Sequence, residues 1–577
     1  MVNNLFRSLL LVAGLALSPY VIPAQDLKPV LSPALDTATP IPSRHHPVLV
    51  TPVSSNPAES SDSLVKSTPA ERRKVHKHYD VLEERLLDSI KAVKRQRVLS
   101  DTTGTKPSES GENQKLAVAV AEVNRNFEGN IYNGWRPPDN AMAISNGGWI
   151  VSVVNSSISF TDENGNITLN SIDLDDFYAG LNLPSYFYDP RVLYDPVANR
   201  FILVCLNETT PAKSKVIVSF SKTSNPNNGW WNYVYNGNFA NTNAWFDYPQ
   251  IGVSTEDLYI AGNLFDANDL FNQSVIMQMD KELGYAGAPM GFTYWNNITN
   301  ASGAKIGSIK PVSHGFGVGY GPGIYLIQSG VSSGSSITLL DITADFGNSP
   351  QLQKYNVPCP AFSIGSDAEQ QSSSKLLDVG ECRVQMAYFA NNIIHYVHHD
   401  EYQSNGYNGI RYGRLNTGNL SIAAQTFGQE GYSYTYPVVA PFSTAQTSGD
   451  AVIGFTRSAD NIYPQFRAVT VDATLAFSSS FAVKNGNSPI DVSNDAIQRW
   501  GDYRASAVAT TPLFPPSGFS GATAKTTITA TGSPRSSRKA MAATTMAATR
   551  LPPSPAATRS PALPPAPNRT CPTATRN

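Results

Sequence analysis

The sequence predicts an all-β protein built from repeated four-stranded antiparallel sheets. Residues 187–235 contain the clearest unit, in which four short runs rich in Val, Ile, Phe, Tyr and Trp are separated by turn-forming Asp, Asn, Pro and Gly. Segments that resemble the head of this unit return about every 60 residues, which indicates a repeat architecture. These heads are PPDNAMAIS at Pro137, YDPRVLYD at Pro190, FDYPQIGVS at Pro249, IKPVSHGFGVG at Pro311, VGECRVQMAYF near Asp378, YTYPVVAPF at Pro437 and RWGDYRASAV at Trp500.

A four-stranded sheet cannot bury both of its faces alone, and helical patterns are almost absent from residues 115–503. Packing such sheets face to face around an axis covers the faces and protects most strand edges. We therefore predict that residues 115–503 form a β-propeller of six or seven blades, each a four-stranded antiparallel sheet. A string of β-sandwich domains is the competing interpretation, because the strand spacing also fits that architecture.

Two segments at the N-terminus carry no repeat. Residues 1–24 predict a secretory signal peptide, because an apolar run follows Arg7 and the small residue Ala24 offers a cleavage site. Residues 25–70 are rich in Pro, Ser and Thr and predict a disordered stalk. We therefore expect a secreted or cell-surface protein.

One amphipathic helix is predicted over residues 71–99, followed by a linker at 100–114. The expected apolar stripe recurs at three- and four-residue steps through Val75, Tyr79, Leu82, Leu86, Ile90 and Val93. We expect the helix to lie on the propeller or to self-associate. Its acidic residues argue against a membrane-surface role.

The composition changes abruptly after Tyr503. Residues 504–577 hold none of the chain's 45 acidic side chains and are dominated by Ala, Thr, Pro, Ser and Arg. We predict a low-complexity basic tail. It is either a natural Pro/Thr-rich stalk or, as we favour, an out-of-frame product that truncates a seventh blade.

Charge and hydropathy restrict the partners. A formal net charge of −2 provides no basic field for nucleic acid. No second apolar stretch has membrane length, so we expect no membrane span once the signal peptide is removed. The expected partner is an extracellular glycan or protein.

The cysteines suggest one disulfide and no zinc site. Cys359 and Cys382 flank the junction before the fifth repeat, and a disulfide between them is expected in an oxidising compartment. Cys205 lies in an apolar strand and is expected to be buried. No Cys/His spacing matches a zinc motif.

Acidic and basic residues recur at the repeat heads. Equivalent positions of a ring lie at equal radii, so these side chains could gather at one mouth of the channel and bind a cation or polar ligand. The alternative, which we favour for the aspartates, is that each caps its own turn; each arginine would likewise hold a loop carboxylate. The residues are Asp139, Asp189, Asp247 and Asp502, with Arg191, Arg383, Arg457 and Arg499.

Three further patterns allow a functional interpretation. Alternating oxygen ligands near Asp162 and Asp266 allow calcium, although ordinary Asx turns are favoured and no other cofactor is expected. The run at 395–401 is expected to place its histidines at the surface. An exposed aromatic set, suited to stacking on sugars or anchoring proteins, is expected at Trp135, Trp230, Trp231, Trp245 and Trp295, with at most one of the adjacent pair in the core.

Several segments together resemble a broad group of secreted bacterial β-propeller proteins that are sialidase-like in shape. These segments are PPDNAMAIS, WIVSVVNSSISFTDENGN, DPRVLYDPVANRF, DYPQIGVSTEDLYIAGN, IGFTRS and RWGDY, within residues 127–503. The resemblance implies fold and an extracellular setting. We expect a binding or adhesion propeller with a loop-built recognition face, with a carbohydrate hydrolase or a structural surface protein as alternatives. The chain departs from the group's usual RWGDYSG at Arg504.

Overall fold

The structure is a computed structural model that describes residues 81–100, 112, 118, 121–130, 133–300, 302–442, 447 and 449–502, and backbone strands at 39–45, 48–50, 506–509, 525–532 and 543–550. The predicted signal peptide lies outside these residues, as do most of the predicted stalk, linker and tail. Before the first blade come β1 (Thr39–His45), β2 (Val48–Val50), α1 (Val81–Ser100) and β3 (Glu122–Glu128).

The protein is an all-β, six-bladed propeller, as predicted, and each blade is a four-stranded antiparallel sheet. Blade 1 contains β4 (Ala141–Ile144), β5 (Trp149–Val154), β6 (Ser157–Asp162) and β7 (Ile167–Asp173). Blade 2 contains β8 (Phe187–Asp195), β9 (Arg200–Asn207), β10 (Lys215–Ser221) and β11 (Trp230–Asn236). Blade 3 contains β12 (Trp245–Val253), β13 (Asp257–Phe265), β14 (Phe271–Asp280) and β15 (Met290–Trp295).

The remaining blades follow in chain order. Blade 4 contains β16 (Lys310–Pro311), β17 (Ile324–Ser329), β18 (Ser333–Ile342) and β19 (Leu352–Ser363). After β20 (Leu376–Leu377), blade 5 contains β21 (Met386–Ala390), β22 (Ile393–Glu401), β23 (Asn408–Asn416) and β24 (Ser421–Phe427). Blade 6 contains β25 (Ser433–Pro441), β26 (Ala451–Ala459), β27 (Ile462–Val471) and β28 (Phe481–Lys484).

The last strands are β29 (Ile497–Gln498), β30 (Ser506–Ala509), β31 (Lys525–Gly532) and β32 (Ala543–Arg550). β29 pairs in parallel with β20. A further sheet has the order β3-β32-β31-β30, and β30 lies between β25 of blade 6 and β4 of blade 1. The N-terminal strand β3 therefore pairs with chain-terminal strands beside the first blade. Two short helices, α2 (Leu174–Phe177) and α3 (Lys281–Ala286), and 3-10 turns at 179–181, 226–228 and 402–404 lie in the connections.

The first strand of each blade lines the axis, because these strands contact one another around the ring. We call the end of the axis at which they begin the lower mouth and the end at which they finish the upper mouth. Three inner strands bulge near their start, with shifted pairing and left-handed φ angles of 49° at Asp189, 52° at Tyr248 and 50° at Tyr436. A proline follows each bulge residue. Its missing N–H is tolerated there because a bulge interrupts the ladder, which explains the recurrent proline of the repeat heads.

Helix α1 lies against blades 4 and 5 near the lower mouth. Leu87 belongs to their apolar core, and the Lys91 ammonium is buried between Asp367 (2.8 Å) and Asp378 (2.7 Å). The predicted apolar stripe is out of phase with this packing, since Leu82, Leu86 and Val93 are 63%, 59% and 62% exposed. Ion pairing, rather than the predicted stripe, decides which face of the helix docks. No helix among the described residues is long and apolar enough to cross a bilayer.

Candidate functional site

The structure brings six of the seven predicted ligand-binding residues together on the axis near the lower mouth. Asp189 interacts electrostatically with Asp247, Asp502 and Arg191, and Asp139 interacts with Asp189 and Asp502. Tyr248 joins this group to Arg383. The equal radii of repeated positions therefore produce a cluster, as the sequence suggested. We call Asp139, Asp189, Arg191, Asp247, Arg383 and Asp502 the axial cluster.

Hydrogen bonds around Asp139 connect distant segments of the chain. Its Oδ1 accepts the backbone N–H of Asp502 at 2.6 Å, and its Oδ2 accepts the amide of Asn155 at 2.9 Å. The Asn155 side-chain oxygen in turn accepts the backbone N–H of Asp189 at 2.7 Å. The favoured interpretation of local turn capping is therefore wrong for Asp139, whose carboxylate links blade 1 to the end of the propeller domain.

The arginines of the axis also bridge elements. Arg191 donates from Nε to the Pro249 carbonyl at 2.8 Å, which ties blade 2 to blade 3. Arg383 donates to Ser308 Oγ and to Glu83 of α1, both at 2.9 Å. Arg499 forms a two-point ion pair with Asp502. Helix α1 thus supplies a carboxylate to the edge of the axial cluster.

Burial changes the acidity of these carboxyl groups. Burial and the neighbouring carboxylates of Asp247 and Asp502 together raise the pKa of Asp189 to about 8, against the opposing effect of Arg191 and Arg499. Burial, with Asp502 and Asp189 nearby, also raises the pKa of Asp139 well above its usual range. The Asp189 carboxyl group therefore holds a proton at neutral pH and can act as a hydrogen-bond donor.

A cavity of about 210 Å³ opens along the upper half of the axis. Its walls are largely aliphatic and come from inner strands of different blades, including Ile251, Val253 and Met386. Arg191 and Lys310 reach its inner part from blades 2 and 4. The cavity therefore combines apolar walls with a polar floor. Lys310 was not among the predicted site residues, because no lysine recurs at the equivalent position of the other repeat heads.

Two lysines line this cavity in different surroundings. Lys281 donates to Asp195 Oδ2 and to the Ser254 carbonyl, both at 2.7 Å. Lys310 donates to the neutral side-chain oxygen of Gln250 at 2.7 Å. Burial, with Arg191 nearby, lowers the pKa of Lys310 well below its usual range.

A glycine-rich loop at 312–323 covers one side of the cavity. A Cβ on Gly315 would lie 2.4 Å from the Tyr388 ring and 2.8 Å from Pro441, so only glycine fits there. Tyr320, which belongs to the loop, stacks on Phe389 with ring centroids 4.6 Å apart. The alternating glycines of SHGFGVGYGPG were the sequence feature from which this loop could have been predicted.

A second cavity of about 710 Å³ lies near the lower mouth, between α1 and blades 3 and 4. Leu82 and Leu86 of the helix form one wall, and Phe271, Gln328 and Arg383 lie opposite. The exposed helix residues thus border a groove.

The seventh predicted residue, Trp245, belongs to the core and does not join the site. It is 1% exposed, donates from Nε1 to the Asp266 carbonyl at 3.1 Å and packs on Phe265. The predicted exposed aromatic set is therefore wrong. Trp230 and Trp295 are also buried, whereas Trp135 and Trp231 are half-buried. These indoles sit at strand ends, where side chains still pack between blades. Of the adjacent pair, one is fully buried, as predicted.

The predicted disulfide is not formed, because Cys359 and Cys382 are both free thiols. Cys382 is buried and its Sγ points to the Ser332 carbonyl at 3.7 Å. Cys359 lies in the outer strand of blade 4 and packs on the same apolar cluster. Cys359 and Cys382 are close in sequence, but the fold does not place their sulfur atoms in bonding geometry. Cys205 is buried, as expected.

The histidines of blade 5 are buried rather than at the surface, which corrects the prediction. His399 donates from Nδ1 to the Glu381 carbonyl and accepts the Tyr436 backbone N–H at Nε2, both at 2.7 Å. His395 stacks on Tyr388 with centroids 4.4 Å apart. The His399 ring therefore joins blades 5 and 6, whereas His395 packs within blade 5.

The two candidate calcium loops are Asx turns. Asp162 Oδ1 accepts the backbone N–H groups of Asn164 and Asn166 at 2.8 and 2.9 Å. Asp266 Oδ1 accepts those of Asn268 and Leu270 at 2.8 and 3.0 Å. Within the described part of the chain, no group of three or more His, Cys, Asp or Glu side chains has metal-binding geometry.

No protein-family model matches the chain. No curated protein matches it either. Similar solved structures include an apocarotenoid oxygenase of Synechocystis, at 10% identity and a TM-score of 0.32 over 61% of this chain and 72% of that one. They also include a Trypanosoma rangeli sialidase mutant displaying trans-sialidase activity (10% identity, TM-score 0.29, 69% and 57% of the two chains). A third is a subtype N10 neuraminidase-like protein of A/little yellow-shouldered bat/Guatemala/060/2010 (8% identity, TM-score 0.33, 63% and 99%).

Proposed function

We propose that the protein is a secreted or cell-surface binding propeller that recognises its ligand at the upper mouth. The observation that carries this proposal is the upper cavity, which is open, apolar on its walls and polar at its floor. Concave sites with mostly apolar walls and a few placed polar groups are typical of ligand pockets. The bound ligand would insert an apolar group between the inner strands.

The carboxylates favour binding over hydrolysis. A glycoside hydrolase needs two carboxyl groups about 5 to 9 Å apart that face the substrate. Asp139, Asp189 and Asp247 are buried near the lower mouth and are not among the residues that line the upper cavity. Asp195 does line the cavity, but it is held by Lys281 at 2.7 Å and Tyr285 at 2.8 Å. This arrangement supports a binding role.

The walls of the cavity favour a protein or an apolar small ligand over a glycan. Sugar binding uses exposed aromatic platforms, and the predicted tryptophans are instead buried or half-buried. Aliphatic side chains such as Ile251 and Val253 present apolar surface. A side chain of a partner protein or a small apolar molecule matches this surface better.

The extracellular setting rests on the N-terminus of the sequence. Residues 1–24 combine a basic residue, an apolar run and a small-residue cleavage site, the pattern of a secretory signal. The resemblance of the repeat heads to secreted bacterial propellers supports the same compartment. Detection of a mature chain beginning near Gln25 in the culture medium would support secretion, and retention of the uncleaved chain would oppose it.

A screen of peptide and glycan arrays with the mature chain tests the proposal. Ile251 is half-buried in the cavity wall, and Ile251→Trp should fill the cavity and abolish binding of each confirmed hit. Ile422 is an equally half-buried isoleucine on an outer strand, so Ile422→Trp is the matched control. Binding that survives Ile251→Trp would place recognition elsewhere. Turnover of chromogenic glycosides by the same preparation would favour the hydrolase alternative.

A further inference from the structure

Lys310 differs from the other cavity lysine in what surrounds its amine. It is half-buried and lines the upper cavity from the two-residue strand β16. Its described hydrogen bond runs to the neutral Gln250 side chain at 2.7 Å, whereas Lys281 is paired with the Asp195 carboxylate at the same distance. Arg191 stands close enough to repel a positive charge on Lys310. These surroundings disfavour an ammonium ion.

A neutral amine is a nucleophile, and a protonated one is not. An ordinary lysine, with a pKa near 10.4, is neutral in roughly one molecule in 2,500 at pH 7. Desolvation and a neighbouring cation both increase the neutral fraction, and this combination activates lysines that form Schiff bases. The surroundings of Lys310 supply both effects. The titratable groups that line the same cavity are Arg191, Tyr194, Asp195, Lys281, His314 and Tyr388.

We propose that Lys310 captures a small apolar aldehyde or ketone that enters the upper cavity, and holds it as an imine. This inference rests on the proposed function, since it takes the upper cavity as the ligand site. The cavity of about 210 Å³ has room for a carbonyl compound of benzaldehyde size, because a cavity of roughly 150 Å³ accommodates benzene. Ile251, Val253 and Met386 would contact the carbon skeleton.

The reaction is a condensation with no change of oxidation state. The Nζ lone pair attacks the carbonyl carbon, a C–N bond forms, and the former carbonyl electron pair becomes an alkoxide that takes the proton released by nitrogen. The resulting carbinolamine loses its hydroxyl group and the second Nζ hydrogen as one molecule of water, which gives the C=N bond. Addition of water reverses each step and releases the ligand.

Reductive trapping tests the inference on the mature chain. Benzaldehyde and sodium cyanoborohydride at pH 7 should place a benzyl group on Lys310 at least about tenfold faster than on exposed Lys213, as peptide mapping measures. Lys281 is the internal comparison, since it lines the same cavity but is ion-paired. Lys354 is a second comparison, a buried lysine outside the cavity. Lys310→Arg should remove the fast-reacting site. Labelling of Lys310 no faster than of Lys213 would overturn the inference.

Benzyl alcohol separates this inference from the proposed function, because it has the same shape without a carbonyl. Saturation-transfer NMR should show benzyl alcohol bound to the wild type and to Ile422→Trp, but not to Ile251→Trp. Binding of the alcohol without preferential labelling of Lys310 would leave the binding cavity intact and refute the imine. If benzyl alcohol does not bind and Lys310 is not preferentially labelled, both the imine and the binding cavity are refuted.

Discussion

Asp502 donates its backbone N–H to Asp139 Oδ1 at 2.6 Å, and this bond joins the start of the first blade to the chain after the sixth. The two residues are 363 positions apart. Ring closure in this propeller therefore involves a buried side chain as well as the strand pairing of β3 with β32. The same carboxylate is held by Asn155, so it belongs to the bridge between blades 1 and 2.

Removing that acceptor should destabilise the propeller. Asp139→Ala removes the acceptor of the Asp502 N–H and one of the two acceptors of the Asn155 amide, and we expect it to lower the free energy of unfolding by about 2 to 4 kcal/mol. Asp139→Asn retains one oxygen and resembles the protonated acid, so it should cost less. Urea denaturation followed by tryptophan fluorescence measures both. Asp460→Ala, in an exposed turn, is the control; equal losses at both positions would contradict the role of Asp139.

Lys91 should control the docking of α1. Lys91→Met preserves most of the side-chain volume but leaves Asp367 and Asp378 without the buried ammonium. Breaking a buried ion pair on one side costs about 3 to 5 kcal/mol, so the helix should detach while the blades stay folded. Hydrogen exchange of the α1 amides should accelerate by more than tenfold. A tenfold change corresponds to a loss of about 1.4 kcal/mol in the free energy of opening the helix. Arg85→Met on the exposed face should leave the exchange unchanged.

The blade architecture followed from the sequence because its cause is local. Turn residues and alternating β-formers recur in every repeat, and a proline follows each of the three bulges. Each of these residues acts on the backbone within a few positions of itself. The clustering of Asp139, Asp189 and Asp247 also followed, because a ring places equivalent positions at equal radii. Ring symmetry offered this cluster as one of two interpretations, and the one we favoured was the other, local turn capping.

Contacts between distant segments could not be predicted in the same way. The docked face of α1 depends on Asp367 and Asp378, nearly 300 residues downstream of Lys91, and nothing in the helix marks that pairing. Trp245 looked like an exposed loop aromatic, yet its indole is buried and packs against Phe265 of the same blade. Lys310 had no repeated counterpart, so symmetry gave no reason to select it.

Acid should destabilise the joint between blades 5 and 6. Burial lowers the pKa of His399 to about 4, from about 6.5 in the unfolded chain. The unfolded state therefore binds the proton more readily, so this stability is present above pH 6.5 and is lost as the pH falls toward 4. The free energy of unfolding, measured in urea, should decrease between pH 7.5 and pH 4. His399→Asn should make this decrease smaller by roughly 1 to 3 kcal/mol. An unchanged slope in the variant would show that other groups carry the acid sensitivity.

Asp189 should have the opposite pH dependence. Its folded pKa is raised to about 8 by burial and by Asp247 and Asp502, above an unfolded value near 3.8. The folded state then holds the proton more tightly, so the contribution is favourable at low pH and is lost as the pH rises from 4 through 8. Asp189→Asn should be nearly neutral at pH 3.5 and stabilising by roughly 1 to 3 kcal/mol at pH 9. Melting curves at the two pH values measure this, and greater stability of the wild type at pH 9 would refute the prediction.

Gly315 should determine the shape of the upper cavity. In Gly315→Ala the new methyl carbon would lie 2.4 Å from the Tyr388 ring and 2.8 Å from Pro441. Either the loop at 312–323 moves outward or the ring is displaced, and overpacking of this kind costs about 1 to 3 kcal/mol. The cavity should then lose affinity for benzyl alcohol together with stability. Gly147→Ala is the matched control, because its methyl carbon would meet its nearest neighbour at an ordinary 3.8 Å. If Gly315→Ala lowers the melting temperature but leaves alcohol binding intact, the loop stabilises the fold without shaping the site, and the ligand must enter the cavity along the opposite wall.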